Sequence, residues 1–494
     1  MKIKERGKVK MKKLLGLLLA FITCLTLVSC DKETDGLKDG VPVVTYANWN
    51  LGTKAENNLY RRMIKKFNQE RDDIQIKIIE STVSSDKWDE WLSNLAVAEK
   101  LPDVYMVNNV ADVVIDQLAT DITDFVTADP EWSKVNNDIK GAATYHDHVF
   151  GIPAGQYHAG FFANYDAIKP YMSAVGGGKV KEVFAPGAFT TEQFELIVKA
   201  MYDLTEDKNS VVGVNTTGDM INWLPATLDE TGTLGHFVWN ADAKRFEYGS
   251  EHLIEAFKIV ADLSNFSFEK AIEKDKENNY FGTDNYTTAF LEGKIGFFQS
   301  GTYTNFVDND YADYHFVAYP DATVIVISDY MVVSPMAANK QHAYEVAKYL
   351  SFGSEGIQAR FDILDNLEEG AKGVELSGSP IVDDPELTDK WFSYIEIDGA
   401  KDVYEGVLTG KIRPLVEGNK STPGFQQARF HEKTGISKEI LNANVTIGEY
   451  LWYTALGRIT VDEYIAEVSS NSKLINRLNG FITDAYEDIE ALIK

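Results

Sequence analysis

Cysteine is nearly missing from this 494-residue chain: there are two, Cys24 and Cys30, and none after position 30. A folded part built from the residues beyond has no disulfide, no thiol nucleophile and no cysteine metal site. It must be held by its core alone. Cationic charge is also short, with 48 lysines and arginines against 75 aspartates and glutamates. The first 30 residues hold seven of the basic residues and one of the acidic ones, so the remainder carries 41 against 74, a formal charge of −33. Such a surface repels nucleic acid and anionic lipid and stays soluble. Gly-x-Ser-x-Gly does not occur, which removes the common hydrolase elbow. Gly176-Gly177-Gly178-Lys179 is followed by Val180 and lacks the first glycine of a phosphate loop. His146-Asp147-His148 has no third histidine nearby, whereas zinc wants at least three protein ligands. Asp308, Asp310 and Asp313 lack the glycine and distal glutamate of a calcium loop. No metal, cofactor or catalytic residue is therefore expected. A glycosidase needs two carboxylates about 5–10 Å apart; among so many acids the sequence marks out no specific pair.

The chain has a single long apolar run, Leu14 to Val28, and it is informative. Met11-Lys12-Lys13 precedes it and Ser29-Cys30 follows. A basic start, a short apolar core and small residues before a cut site make a secretory signal peptide. The run is too short for a spanning helix, which needs about 20 apolar residues. Leu27-Val28-Ser29-Cys30 resembles the lipobox of bacterial lipoproteins, in which the cysteine is lipidated and becomes the mature N-terminus. The alternatives are an ordinary signal peptide or an N-terminal anchor helix. A start at Met11 would leave the signal complete. The expected plan is a signal peptide at 1–29 and a lipid-anchored stalk at 30–40, polar and without periodicity. The 465 residues left after cleavage are too many for one compact core, so two domains are expected.

Val43 to Ala47 reads as a buried strand, followed by the loop Asn48-Trp49-Asn50-Leu51-Gly52. A helix is predicted from about Ala55 to Gln69, with Leu59, Met63 and Phe67 on one face. Ile74, Ile76 and Ile78 alternate with polar residues as a second strand, a helix spans about Asp86 to Glu99, and Asp103 to Val107 is a third strand. Alternating strands and helices imply a parallel sheet covered by helices, with its ligand crevice beyond the carboxyl ends of the strands. Further on, Phe161 to Tyr165 reads as a strand, Thr190 with Gln193 as a capping box, and Phe237 to Tyr248 as a hairpin. Ile295 to Phe298, Val324 to Ile327 and Asp329 to Val333 are extended segments. The stretch from Gly353 to about Pro385 reads as loop-rich, and the rest as mostly helical.

This order of pieces resembles the extracellular solute-binding proteins of bacterial ABC importers, in the sugar-binding family that includes maltose-binding protein. Five patches carry the resemblance: the Asn48-Trp49-Asn50 opening with its Phe67 helix; Leu101-Pro102-Asp103-Val104; His148 to Pro153 leading into Phe162-Ala163-Asn164-Tyr165-Asp166; Phe290 to Phe297 with Gly301; and Leu456 to Glu463. The chain departs from the family in lacking a lysine after Asn164-Tyr165 and in its long stretch 353–385. The resemblance implies an α/β fold of two lobes joined by a multi-crossover hinge. The lobes are expected at 41–152 plus 329–365 and at 153–328 plus 366–494. It also implies a receptor that captures a sugar, foremost an oligosaccharide, between the lobes and delivers it to membrane permease subunits, with no bond changed. A peptide or polyamine receptor is the alternative, and a surface glycosidase or structural lipoprotein a more distant one. A monomer is expected, held by lipid on Cys30 to the outer face of the cytoplasmic membrane or facing a periplasm.

A sugar presents hydroxyls, which want fixed donors and acceptors, and C–H faces, which want a flat ring. The candidate contacts are Asn48, Trp49 and Asn50 at the first strand end, Asn108 and Asn109 at the third, Tyr157 after the first crossover, Trp223, Tyr303 after Gly301, and Tyr330 on the next crossover. Asn108 and Asn109 could equally cap a helix, and Tyr157 and its neighbour His158 could pack the hinge. Trp88 and Trp91 have helical spacing and read as a packed face. Core packing is the expectation for Trp239 and Trp452.

Overall fold

Among the described residues of the computed structural model, 37–81, 83–205, 209–274, 280–304, 306, 313–368, 371, 374–437 and 444–494, nine strands pair into one mixed sheet. The signal-like run, Cys24, Cys30, Asp308 and Asp310 lie outside those residues. The strands are β1 (Val43–Ala47), β2 (Gln75–Ile78), β3 (Val104–Val107), β4 (Ile152–Asn164), β5 (Val212–Val214), β6 (Ile295–Gly301), β7 (Tyr314–Val317), β8 (Thr323–Val333) and β9 (Arg413–Val416). Their order is β2-β1-β3-β8-β4-β6-β5, with β7 paired to β4 and β9 to β8.

Parallel strands cannot be joined by a tight turn. β1 lies parallel to both β2 and β3, so helices return the chain: α1 (Leu59–Glu70) and α2 (Trp88–Val97). α1 begins later than Ala55 because the Asn58 side chain accepts the N–H of Arg61 and caps it there. It buries Leu59, Met63, Ile64 and Phe67. The Pro102-Asp103 patch has a local cause. The Asp103 carboxylate accepts the backbone N–H of Thr45 at 2.7 Å and its hydroxyl at 2.6 Å, and that hydroxyl accepts the N–H of Asp103 at 2.8 Å. This knot fixes β3 against β1.

β4 and β8 are long, 13 and 11 residues, and run antiparallel. Each serves two halves of the sheet. β8 pairs with β9 through Thr323 to Val326 and with β3 through Tyr330 to Val333. β4 pairs with β8 at its start and with β6 and β7 through Ala159 to Asn164. Side chains alternate across a strand, and the cores obey that rule. Val104, Met106, Phe162, Val324 and Val326 join one core that runs under the whole sheet. On the opposite face Phe161, Ala163 and Ile325 enter a second core, and Tyr105 and Val107 a third. A bulge between Asp329 and Tyr330 switches the parity of β8, so that Tyr330 and Val332 enter the third core while Met331 and Val333 enter the first.

A third pass of the chain crosses beside these strands. Ser379 donates its N–H to the carbonyl of Gln156 at 2.7 Å. Gly378 precedes it at φ +73°, and a Cβ there would sit 2.4 Å from the Gln156 oxygen, so only glycine fits. The stretch after Gly353 is not all loop: a helix covers Ser354–Asp365, as Ile357 and Phe361 at helical spacing bury against the first core. The C-terminal part is likewise less helical than expected. It holds β9 and a paired ribbon, Lys433–Ser437 with Asn444–Thr446, before a last helix, Ser472–Ile493. That helix buries Leu474, Leu478 and Ile482 in the second core and Ile489 in the third.

Two enclosed histidines have no anionic partner among the described residues. His158, on β4, and His236 are buried, and burial lowers their pKa values from 6.5 to about 4 and about 3. Below pH 6.5 the unfolded chain binds protons that the folded chain resists, so stability falls as pH drops toward 4 and is flat from these groups above 7. Melting temperatures across that range should show this acid slope, and His158→Gln with His236→Gln should flatten it.

Candidate ligand-binding cleft

A cavity of about 580 Å³ opens where β4 and β8 cross. Gly155, Tyr157, Ile327 and Asp329 form its floor. The first strand-end loop and helix bring Trp49, Asn50, Asn58 and Tyr60 to its lining, and later segments bring Tyr303, Glu417, Asn419 and Lys420. Glu375 to Ser377, Ser379 and Trp391 complete the lining. The size falls within the range of about 300–1,000 Å³ usual for small-molecule sites.

The Trp49 wall is built by its own loop. Asn48, at the end of β1, is buried; its side chain accepts the N–H of Asn50 at 2.6 Å and donates to the Tyr46 hydroxyl at 2.8 Å. It therefore shapes the turn and does not reach the cavity. Arg61 clamps the other end of the turn, donating to the carbonyls of Leu51 and Gly52 and to both oxygens of Glu80. Trp49 is left half-buried, edge-on to Trp88 at 5.5 Å. Trp88 is fully buried and donates its indole N–H to the carbonyl of Met106.

Charge sits directly against the Trp49 ring. The Lys420 ammonium lies 5.4 Å from the Trp49 ring centroid and 3.1 Å from Asp329. The Lys420 and Asp329 side chains are only 18% and 14% exposed, so the pair is shielded from solvent. Glu417 lies close by. Its Oε2 is buried and has no hydrogen-bond partner among the described residues. Burial pushes its pKa up and Asp329 adds to that, while Lys420 and Arg429 pull it down. Glu417 thus lines the cavity while this one oxygen lies closed off beneath its surface.

Tyr157 and Tyr303 supply rings. Tyr157 is half-buried, and Tyr303 is 54% exposed and stands edge-on to it at 6.0 Å. His158, the next residue on the strand, faces away and shares a hydrogen bond with the Ser379 hydroxyl at 3.0 Å. The structure therefore brings together Trp49, Asn50, Tyr157 and Tyr303.

The remaining candidates are engaged elsewhere. Asn109 caps the short helix α3 (Val110–Ile115) with its carbonyl and donates to the backbone oxygen of Asn419 at 2.9 Å. Asn108 bonds Asp89 and the carbonyl of Ser85. Tyr330 is buried, its hydroxyl on the carbonyl of Ile139. Trp223 lies in the second core, stacked on Tyr319 at 4.3 Å and 7°. Its large apolar ring finds more buried contact there than a cleft rim would give. His146 and Asp147 form a hairpin tip, and His148 pairs with Asp121.

Sequence reasoning passed over Tyr60, Asp329, Glu375 and the Glu417-Gly418-Asn419-Lys420 turn. The signal for that turn was present as a strand-like Arg413-Pro414-Leu415-Val416 ending in Gly-Asn, which a helical reading of the C-terminal part hid.

The family described as bacterial extracellular solute-binding protein matches residues 62–388. An ABC substrate-binding protein of Listeria monocytogenes, solved in complex with cycloalternan, superposes with a TM-score of 0.60 at 16% identity, covering 89% of this chain and 100% of its own. A sugar transporter protein of Rhizobium etli in an open conformation gives 0.60 at 14%, covering 87% and 99%. A cyclic α-maltosyl-1,6-maltose binding protein of Arthrobacter globiformis gives 0.56 at 14%, covering 88% and 100%. No curated protein sequence matches the chain.

The Lys420–Asp329 pair is open to a direct test. Removing one partner of a shielded pair leaves an uncompensated charge. Lys420→Met and Asp329→Asn should each destabilise the protein, and the double variant by less than their sum. A coupling of about 0.5–3 kcal/mol in denaturant melts is the expected result.

Proposed function

The chain belongs to the bacterial extracellular solute-binding protein family, and on that premise we propose that it captures a sugar, foremost an oligosaccharide, and hands it to the permease of an ABC importer. The observation that carries this reading is the convergence of three rings, Trp49, Tyr157 and Tyr303, with the polar side chains of Asn50, Glu417 and Asn419 around one cavity. Rings cover the C–H faces of a sugar, and placed polar groups orient its hydroxyls. The Listeria and Arthrobacter proteins, with their cyclic oligosaccharides, support the ligand class.

The lobes of this reading are 41–152 with 329–365 and 153–328 with 366–494. The hinge is the crossing of β4 and β8 with the third pass at Gly378-Ser379. A sugar held by Trp49 on one side and by Tyr303 and Glu417 on the other gains all its contacts only when both walls face it, so it favours the closed arrangement. The reading is binding and delivery without bond change. Lipid on Cys30 would keep the receptor near its permease, outside the cytoplasm.

A ligand that binds only the folded chain raises its apparent stability, by about 2.7 kcal/mol at 100 times the dissociation constant. Thermal melts of residues 31–494 against oligosaccharides, peptides and polyamines should show a shift with one oligosaccharide class. Trp49→Ala and Tyr303→Ala should each weaken that binding about tenfold or more, near 1.4 kcal/mol, and Trp223→Phe should not. A shift with polyamines or peptides alone would sink the sugar reading. In cells, Cys30→Ser should move the protein from the detergent phase to the aqueous phase on partitioning.

A further inference from the structure

The cleft does not stop at Tyr303. A second cavity, about 860 Å³, also borders that ring. Four residues, Tyr303, Glu375, Leu376 and Ser377, line both cavities. The two spaces therefore meet along one rim. Tyr303 stands on this rim with its ring folded back over Gly301, where a Cβ would come within 2.4 Å of the ring. The Glu375 to Ser377 side is anchored at its C-terminal end, where Trp391 donates its indole N–H to the carbonyl of Gly378 at 3.0 Å.

The outer cavity repeats the chemistry of the inner one. Tyr394 and Tyr314 line it, both half-buried. Each ring is backed: Tyr394 stacks on Phe361 at 5.7 Å and 23°, and Tyr314 stands edge-on to Phe306 at 5.1 Å. The same cavity is lined by hydroxyl and carboxylate groups, Thr304, Ser393 and Glu396. Backed rings together with small polar groups suit the C–H faces and hydroxyls of a sugar. Size bears on the ligand as well. Either cavity alone is large enough for a small-molecule site, so one sugar ring would occupy the inner space and leave the outer one unused.

We propose that the two cavities form one groove for an elongated oligosaccharide. Its inner units sit over Trp49 and Tyr157, the chain crosses Tyr303, and its distal units lie against Tyr394 and Tyr314. This rests on the sugar-receptor reading above and adds chain length to it as a determinant of affinity.

The test is titration calorimetry of residues 31–494 with malto-, cello- and xylo-oligosaccharide ladders, from monosaccharide to heptasaccharide. For the class that binds, affinity should climb with length beyond the disaccharide. Two variants address the outer cavity separately from the inner one: Tyr394→Ala removes a ring, and Ser393→Trp fills the space from an exposed position. Both should weaken binding of the longest member about tenfold and leave the shortest binding member within about twofold. Equal affinity at every length, or long ligands indifferent to both variants, would overturn the groove. If Trp49→Ala still abolished binding in that case, the sugar-receptor reading would stand without it. No binding at any length in any ladder would overturn both.

Discussion

Two long strands lying antiparallel, Ile152–Asn164 and Thr323–Val333, carry the backbone pairing on which both halves of this protein hang. The parallel strands β1, β2 and β3 reach the rest of the sheet only through β8, and β6 and β5 only through β4. A sheet that must serve two cores on one face needs strands long enough to lie in both. The bulge at Asp329/Tyr330 solves the local problem this creates. It lets β8 point Asp329 into the cleft while Tyr330 and Val332 fill the third core.

Chemistry gathers where that pairing is interrupted. Asp329 owes its direction to the bulge, Tyr157 to the alternation of β4, and Ser379 to the third pass. Around them the protein encloses charge in compensated form: Lys420 answers Asp329 and faces the Trp49 ring. Glu417 keeps one buried oxygen that no described group engages. A buried polar atom left in that condition costs stability unless something supplies a donor.

Much of this architecture was legible in the sequence because periodicity and turn chemistry report backbone state. The strands at 43–47 and 104–107, the capped helix at Thr190 and the strand-end loop at Trp49 all carried local signals. Family resemblance added the hinge and the cleft. Side-chain direction was harder to read. Asn48 and Asn109 sit at the expected strand ends, yet each spends its amide on the turn or helix beside it. Trp223 and Tyr330 are rings at plausible positions that the cores claim. No spacing rule separates a ring that faces a cleft from one that faces a core when both lie in short irregular segments. The Glu417 to Lys420 turn was hidden differently, by a wrong reading of its surroundings as helix.

The last helix has a mechanical consequence. It rises about 1.5 Å per residue, so the stretch from Leu474 in the second core to Ile489 in the third acts as a strut with fixed attachment points. Drawing the halves straight apart on that side would pull Ile489 into water, costing about 1.5–3 kcal/mol. The helix therefore ties the second and third cores together on that side, independently of the sheet.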